Sequence, residues 1–184
     1  MKRLRSLALV VLSLALISLS LPSTAERKGS TGENNPDVYG EVYMSSIRII
    51  WERGGIDRTE SDHDIFVCNY SGEDVYDYAY DFQHALYEFD PMNGELGNWI
   101  AEDREQDSGS VRPYNENGEN NYPDYLADIS ATQSLSLNDH HLNDGEWYAI
   151  SAWTDLSVTP QDGGESDTWS VSDISSFRYR IPHN

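Results

Sequence analysis

Seven side chains in this sequence are of types that recognise a ligand by stacking, hydrogen bonding and charge together: Trp147, Ser151, Trp153, Asp77, Asp81, Arg178 and Arg180. In W-Y-A-I-S-A-W an extended chain turns Trp147, Ser151 and Trp153 one way and Tyr148, Ile150 and Ala152 the other. Asp77 and Asp81 alternate with Tyr76, Tyr78, Tyr80 and Phe82, and Arg178 and Arg180 with Phe177, Tyr179 and Ile181. If these three strands lie side by side with the tryptophan strand in the middle, two exposed indoles stand between carboxylates and guanidiniums. Such a surface suits an extracellular glycan or a protein. The competing account is structural: arginines stack on the indoles and pair with the aspartates across strands, for about 0.5–1 kcal/mol each.

Other chemistry has weaker support. The chain has no G-x-S-x-G elbow, no H-E-x-x-H, no phosphate loop and no second cysteine for a metal knuckle. Asp107-Ser108-Gly109 is similar to the nucleophile segment of trypsin-like proteases, but Gln106 stands before it, no matching histidine motif precedes it, and the chain is too short for two barrels. A glycosidase needs only two placed carboxylates, and with 32 acidic residues their spacing excludes nothing. A small secreted carboxylate-dependent hydrolase, using residues 102–124, is therefore the alternative to a non-catalytic module. A structural subunit of a surface filament or layer, reaching a neighbour with residues 26–36, is a third reading and would make the protein an oligomer.

No cofactor is expected. Calcium is the one ion the sequence admits, through Asn115, Asn117, Glu119 and Asp124 around Gly118, but that run lacks the Asp-rich start and the bidentate Glu at the twelfth position. The histidines of Asp62-His63-Asp64 and Asp139-His140-His141 read as solvated turn residues, since neighbours on a strand face opposite ways and cannot share an ion. Cys68 is the single cysteine, so no internal disulfide forms, and burial would protect its thiol. The alternation of residues 65–70 is expected to turn Phe66, Cys68 and Tyr70 inward and Asn69 outward. Asn69-Tyr70-Ser71 is a sequon, which makes Asn69 the expected glycosylation site.

The sequence also states where the protein works. Lys2, Arg3 and Arg5 precede an apolar run over residues 7–21 and then Pro22-Ser23-Thr24-Ala25, the pattern of a secretory signal peptide over residues 1–25 cut after Ala25. The run of about 15 apolar residues is short of the roughly 20 that a membrane span needs, so no membrane insertion is expected after cleavage. Losing three of the 12 basic residues leaves 9 against 32 acidic ones, a formal charge of −23, with Lys28 the only lysine. Such self-repulsion strains a compact fold in dilute buffer, whereas in molar salt the Debye length shrinks to about 3 Å. Excess acid with almost no lysine resembles the proteins of extreme halophiles. Nucleic acid and anionic membranes are poor partners for such a surface.

The elements that must position these residues read as strands. Residues 26–37 contain almost nothing apolar and are expected to be a disordered tail, with a single domain over 38–184. Strands are expected over residues 38–51, 65–70, 75–82, 129–137, 147–156 and 177–181. A bulge near Gln83-His84 would let Tyr87 and Phe89 turn inward. The acidic stretch 57–64 and the polar stretch 102–124 read as loops. Seven or eight strands with polar turns and no convincing helix imply an all-β antiparallel sandwich.

Asp144-Gly145 begins a turn, and an Asp four residues before Tyr148, with Ile150 buried after it, has the spacing of the immunoglobulin tyrosine corner. Together with Asp155, and with the Asn69-Tyr70-Ser71-Gly72 turn, the run 144–152 resembles secreted immunoglobulin-like modules of the CARDB type from bacteria and archaea. That resemblance covers about a third of the chain. It implies an immunoglobulin-like sandwich that is non-catalytic and serves adhesion or surface accessories. Ile150 stands where an antibody domain has its second cysteine, so the inter-sheet disulfide is missing.

Overall fold

Strict alternation of inward and outward side chains builds most of the molecule. The computed structural model describes residues 27–35, 37–114 and 124–183. Among the described residues nine strands follow one another: β1 (Arg27–Asn35), β2 (Val38–Ser45), β3 (Arg48–Glu52), β4 (Gly55–Asn69), β5 (Tyr76–Asp90), β6 (Glu95–Val111), β7 (Leu126–Ser136), β8 (Trp147–Pro160) and β9 (Asp167–Arg178). One short 3-10 turn, Leu137–His140, separates β7 from β8. Every pairing is antiparallel.

Two sheets pack face to face. Sheet A holds β1, β2, β3, β4 and β7, and sheet B has the order β6-β5-β8-β9. β2 pairs with residues 63–69 of β4 and β3 with residues 55–60, so these two short strands run along one edge of β4 as a single interrupted strand. The sandwich thus has eight lines of strand. β5, β8 and β9 lie side by side with the tryptophan strand in the middle, as the sequence implied. Among the described residues no helix is long and apolar enough to cross a membrane.

The core splits into two apolar clusters. One gathers Val42, Val67, Tyr80, Phe82, Val111, Leu156 and Trp169. The other gathers Met44, Ile56, Leu86, Leu137, Tyr148, Ile150 and Phe177. Each fully buried Leu, Ile or Phe removes enough apolar surface from water to stabilise the fold by about 1.5–3 kcal/mol. The aromatic row of β5 is a core face, with Tyr76, Tyr80 and Phe82 buried and Tyr78 packed against them.

The corner before β8 also takes the expected form. Gly145 adopts φ +84°, which favours glycine, and the Asn143 backbone N–H donates to the Tyr148 phenol oxygen at 3.0 Å. Where a Cβ on Gly40 would stand, the Trp169 ring is only 2.7 Å away, so this glycine lets the two sheets meet over a buried indole.

Several expectations are corrected. Residues 27–35 pair with β2 as an edge strand instead of forming part of a loose tail. The acidic stretch 57–64 belongs to β4, whose inward positions Thr59, Ser61 and His63 are polar and therefore hide the strand's period. Residues 102–111 are strand, part of β6, instead of the start of a long loop. The final strand is Asp167–Arg178, and Ile181 beyond it is 51 % exposed. The register of β5 against β8 runs unbroken from Tyr76 to Glu88, so there is no bulge at Gln83-His84.

On β4 the parity is reversed: Ile65, Val67 and Asn69 point inward with Ser61 and His63, while Tyr70 is exposed. Cys68 is buried, and burial pushes its thiol pKa up. The signal peptide over residues 1–25 lies outside the described residues, as do the calcium candidates Asn115, Asn117 and Glu119.

Candidate functional site

Two groups of side chains are arranged for chemistry, one inside the sandwich and one outside. The inner group runs from sheet to sheet. Thr59 Oγ1 meets His84 Nε2 at 2.8 Å, His84 Nδ1 meets Ser61 Oγ at 2.7 Å, Ser61 Oγ meets His63 Nε2 at 2.8 Å, and His63 Nδ1 meets Thr154 Oγ1 at 2.8 Å. A neutral imidazole has one donor and one acceptor nitrogen, so all four bonds are satisfied when every donor points the same way along the chain.

Ser61 with two histidines has the geometry of an activated nucleophile. All five residues are fully buried, however, and no substrate reaches them. Burial pulls the pKa of His63 down to about 4 and that of His84 to about 3, keeping both neutral at pH 7. The His63 ring also stacks on Phe82 at 5.4 Å. This is an inter-sheet clamp between the two apolar clusters, and it corrects the reading of His63 as a solvated turn residue. His141, after the 3-10 turn, is exposed at φ 52°.

The outer group lies on the outward face of sheet B, where cross-strand registers set side chains in rows. Toward the β5–β6 connection, Leu96 stands opposite Phe89, and Trp99 opposite Tyr87, which is itself opposite Ala149. Trp147 is opposite Arg178, and Ser151 opposite Ile174. Trp99 and Ile174 are each 56 % exposed, and Trp147 and Leu96 each 38 %. Further along, Trp153 faces Gln83 on one side and Ser172 on the other, and Asp155 sits between Asp81 and Ser170. This face is thus aromatic at one end and polar at the other.

The seven residues singled out from the sequence are not all gathered. Trp147, Ser151, Trp153 and Asp81 share this face, and Arg178 neighbours Trp147 while its Nε donates to the Gly145 carbonyl. Asp77 is on the face but pairs with Thr159, on the order of 40 Å of strand from Trp147, and is bonded by Ser110 and Gln161. Those two donors lower the Asp77 pKa. Arg180 has left the sheet: its carbonyl accepts from Ile56 N–H, and its guanidinium lies 3.9 Å from Asp144.

The arginine that does pair with Asp81 is Arg104, through Nε at 2.9 Å and Nη2 at 2.5 Å. Sequence reasoning missed Arg104 because it assigned residue 104 to a loop. It missed Tyr87 and Phe89 because it turned them toward the core, and Trp99 because it read Trp99-Ile100 only as a short apolar patch. Strict parity along β5 would have placed Tyr87 and Phe89 outside.

Two other candidates are settled by their surroundings. Asn69 is 0 % exposed; its Nδ2 donates to the carbonyls of Asp74 at 2.8 Å and Val111 at 3.1 Å, and its Oδ1 accepts from Ser71 N–H. A glycan there would expel that side chain from the fold, so the glycosylation expectation is corrected. Asp124, the described member of the calcium set, sits 3.9 Å from Arg112 and accepts the Arg112 backbone N–H through its carbonyl. Among the described residues no cluster of three or more metal-ligating side chains forms.

No family model and no curated protein matches the chain. Solved structures match at low identity. A structural-genomics target shares 11% identity over 79% of this chain and 88% of its own, at a TM-score of 0.33. A protein from Archaeoglobus fulgidus shares 13% over 75% of this chain and 98% of its own, at 0.30. A bacterial adhesin from Mobiluncus mulieris shares 10% over 61% of this chain and 40% of its own, at 0.22. At these scores the likeness says nothing about activity.

Proposed function

We propose that this protein is a secreted, acidic, non-catalytic binding or adhesion module that meets an extracellular glycan or protein with the outward face of sheet B. One observation carries the reading: Trp99, Trp147 and Ile174 stand in solvent on that face, Trp99 in a cross-strand row with Tyr87, Trp147 opposite Arg178 and Ile174 opposite Ser151. Tyr148 and Ile150 on β8 already supply the core, so the outward aromatics are not needed to complete it. Large exposed apolar groups gathered on one face mark interaction sites, and tryptophan and tyrosine dominate the energetics of such contacts.

Two features of the sequence support the setting. The N-terminal pattern of residues 1–25 is that of an exported protein. The acid excess suits a high-salt medium, where charge steering is screened and short-range apolar contact carries more of the recognition. The resemblance of residues 144–152 to immunoglobulin-like surface modules points the same way.

The test is retention of the labelled protein on envelope preparations of the producing cell in molar NaCl. Trp99→Ala with Trp147→Ala is expected to weaken retention more than tenfold while the urea midpoint stays put. Unchanged retention by the double variant overturns the reading.

A further inference from the structure

We infer that the polar end of this face is a saccharide site, a groove beside Trp153 that takes an uncharged, hydroxyl-rich ring; the inference rests on the reading of sheet B's outer face as the contact surface. A groove of about 420 Å³ lies over β5, β8 and β9, lined by Ala79, Asp81, Gln106, Asp155, Ser157 and Ser170 among others. That volume is within the range of small-ligand sites, about 300–1,000 Å³. Ala79 and Ser157 are directly opposite each other across β5 and β8, so the floor is made of small side chains and a ring can come close to the backbone.

The walls decide the ligand class. Asp81 and Asp155 are directly opposite, an arrangement of like charges that disfavours the sheet unless something answers it. Asp81 is answered by Arg104 and by Gln106 Nε2 at 2.9 Å. Asp155 accepts a hydrogen bond from Ser170 Oγ and pairs with no guanidinium among the described residues. An ionised carboxylate accepts about four hydrogen bonds, so Asp155 has acceptor capacity to spare.

Gln83, directly opposite Trp153, is 4 % exposed, and its unpartnered Oε1 is sealed from solvent, so it offers a ligand nothing. The spare acceptor capacity of Asp155 calls for donors. An anion is refused by the two carboxylates, and a metal cation by Arg104 lying across Asp81. Sugar hydroxyls donate to Asp155 and accept from Thr168, and the half-buried Trp153 stands two residues before Asp155 on the same face of β8.

The test is calorimetric titration in molar NaCl with cellohexaose, maltohexaose, xylohexaose and chitohexaose as neutral probes and hexagalacturonate as the anionic one. At least one neutral probe is expected to bind with a Kd between about 10 μM and 1 mM, and hexagalacturonate at least tenfold more weakly. Ser157→Trp, which fills the floor, abolishes that binding, Asp155→Asn weakens it about tenfold, and Trp51→Ala on sheet A leaves it unchanged. The urea midpoint of each variant shows whether it folds. The inference is overturned if no neutral probe binds, if hexagalacturonate binds as well as the neutral probes, or if both folded groove variants retain full affinity. Failure here with envelope retention still dependent on Trp99 and Trp147 removes the saccharide site alone; loss of that dependence removes the contact surface as well.

Discussion

The two outward faces of this sandwich treat their side chains in opposite ways. On sheet A the charges settle among themselves: Arg48 reaches Asp62 at 2.5 Å and Glu60 at 3.2 Å, Arg58 holds Glu60 at 2.7 Å, and Thr132 donates to Asp62 at 2.8 Å. Hydrogen bonding from Arg48 pulls the Asp62 pKa down to about 2. On sheet B one end leaves indoles in water, and at the other Asp155 accepts from Ser170 and meets no guanidinium among the described residues. A face that satisfies its own groups gains little from a partner. A face with exposed apolar rings gains about 25 cal/mol for every Å² that a partner covers.

The sharpest way to break this contrast is within β8, whose two sides belong to different worlds. Ile150→Ala removes a fully buried side chain and should cost about 3–4 kcal/mol in urea unfolding at molar salt. An effect below about 1 kcal/mol would mean that the core is not where the register puts it.

Acid should loosen the clamp between the sheets. His63 and His84 have folded pKa values lowered by burial, to about 4 and about 3 against an ordinary 6.5, so the unfolded chain binds the extra protons. Stability is therefore full above about pH 6.5 and falls as the pH drops toward 4. Between pH 7.5 and 5.5 the loss should be about 2.7 kcal/mol, and the double variant His63→Gln with His84→Gln should lose its share of the slope. The carboxylates with lowered pKa values, Asp62 and Glu60, titrate below this window and do not obscure it. A flat profile in the parent protein contradicts the neutral clamp.

Smaller effects sharpen the comparison of the outward faces. Arg48→Ala should cost about 1 kcal/mol in dilute salt and less in molar salt, because its ion pairs are partly solvated. Trp147→Ala should change stability by no more than about 0.5 kcal/mol, since its ring completes no core. A larger cost for Trp147 would make its face structural, like the face of sheet A.

Much of this was legible in the sequence, because alternation is legible wherever an apolar face exists. β5 and β8 could be read from their period, and the corner from Asp144, Gly145 and Tyr148. β4 could not, since a polar clamp of Thr59, Ser61 and His63 replaces its apolar face and mimics an acidic loop. β6 was hidden for another reason. Its inward positions Asp103 and Glu105 bond Ser134 N–H and the Tyr80 hydroxyl at the rim of the sandwich, as edge strands carry charge to discourage stray pairing. Tyr87 and Phe89 were misplaced because aromatic character was allowed to overrule parity.

Hydroxyl-radical footprinting of the protein bound to envelope preparations, read by mass spectrometry, tests the contrast between the two faces most directly. The account predicts that peptides holding Trp99, Trp147 and Ile174 are protected on binding while Arg48, Trp51 and Arg58 label as in the free protein. Protection confined to the sheet A peptides, with the indoles still labelled, would contradict it.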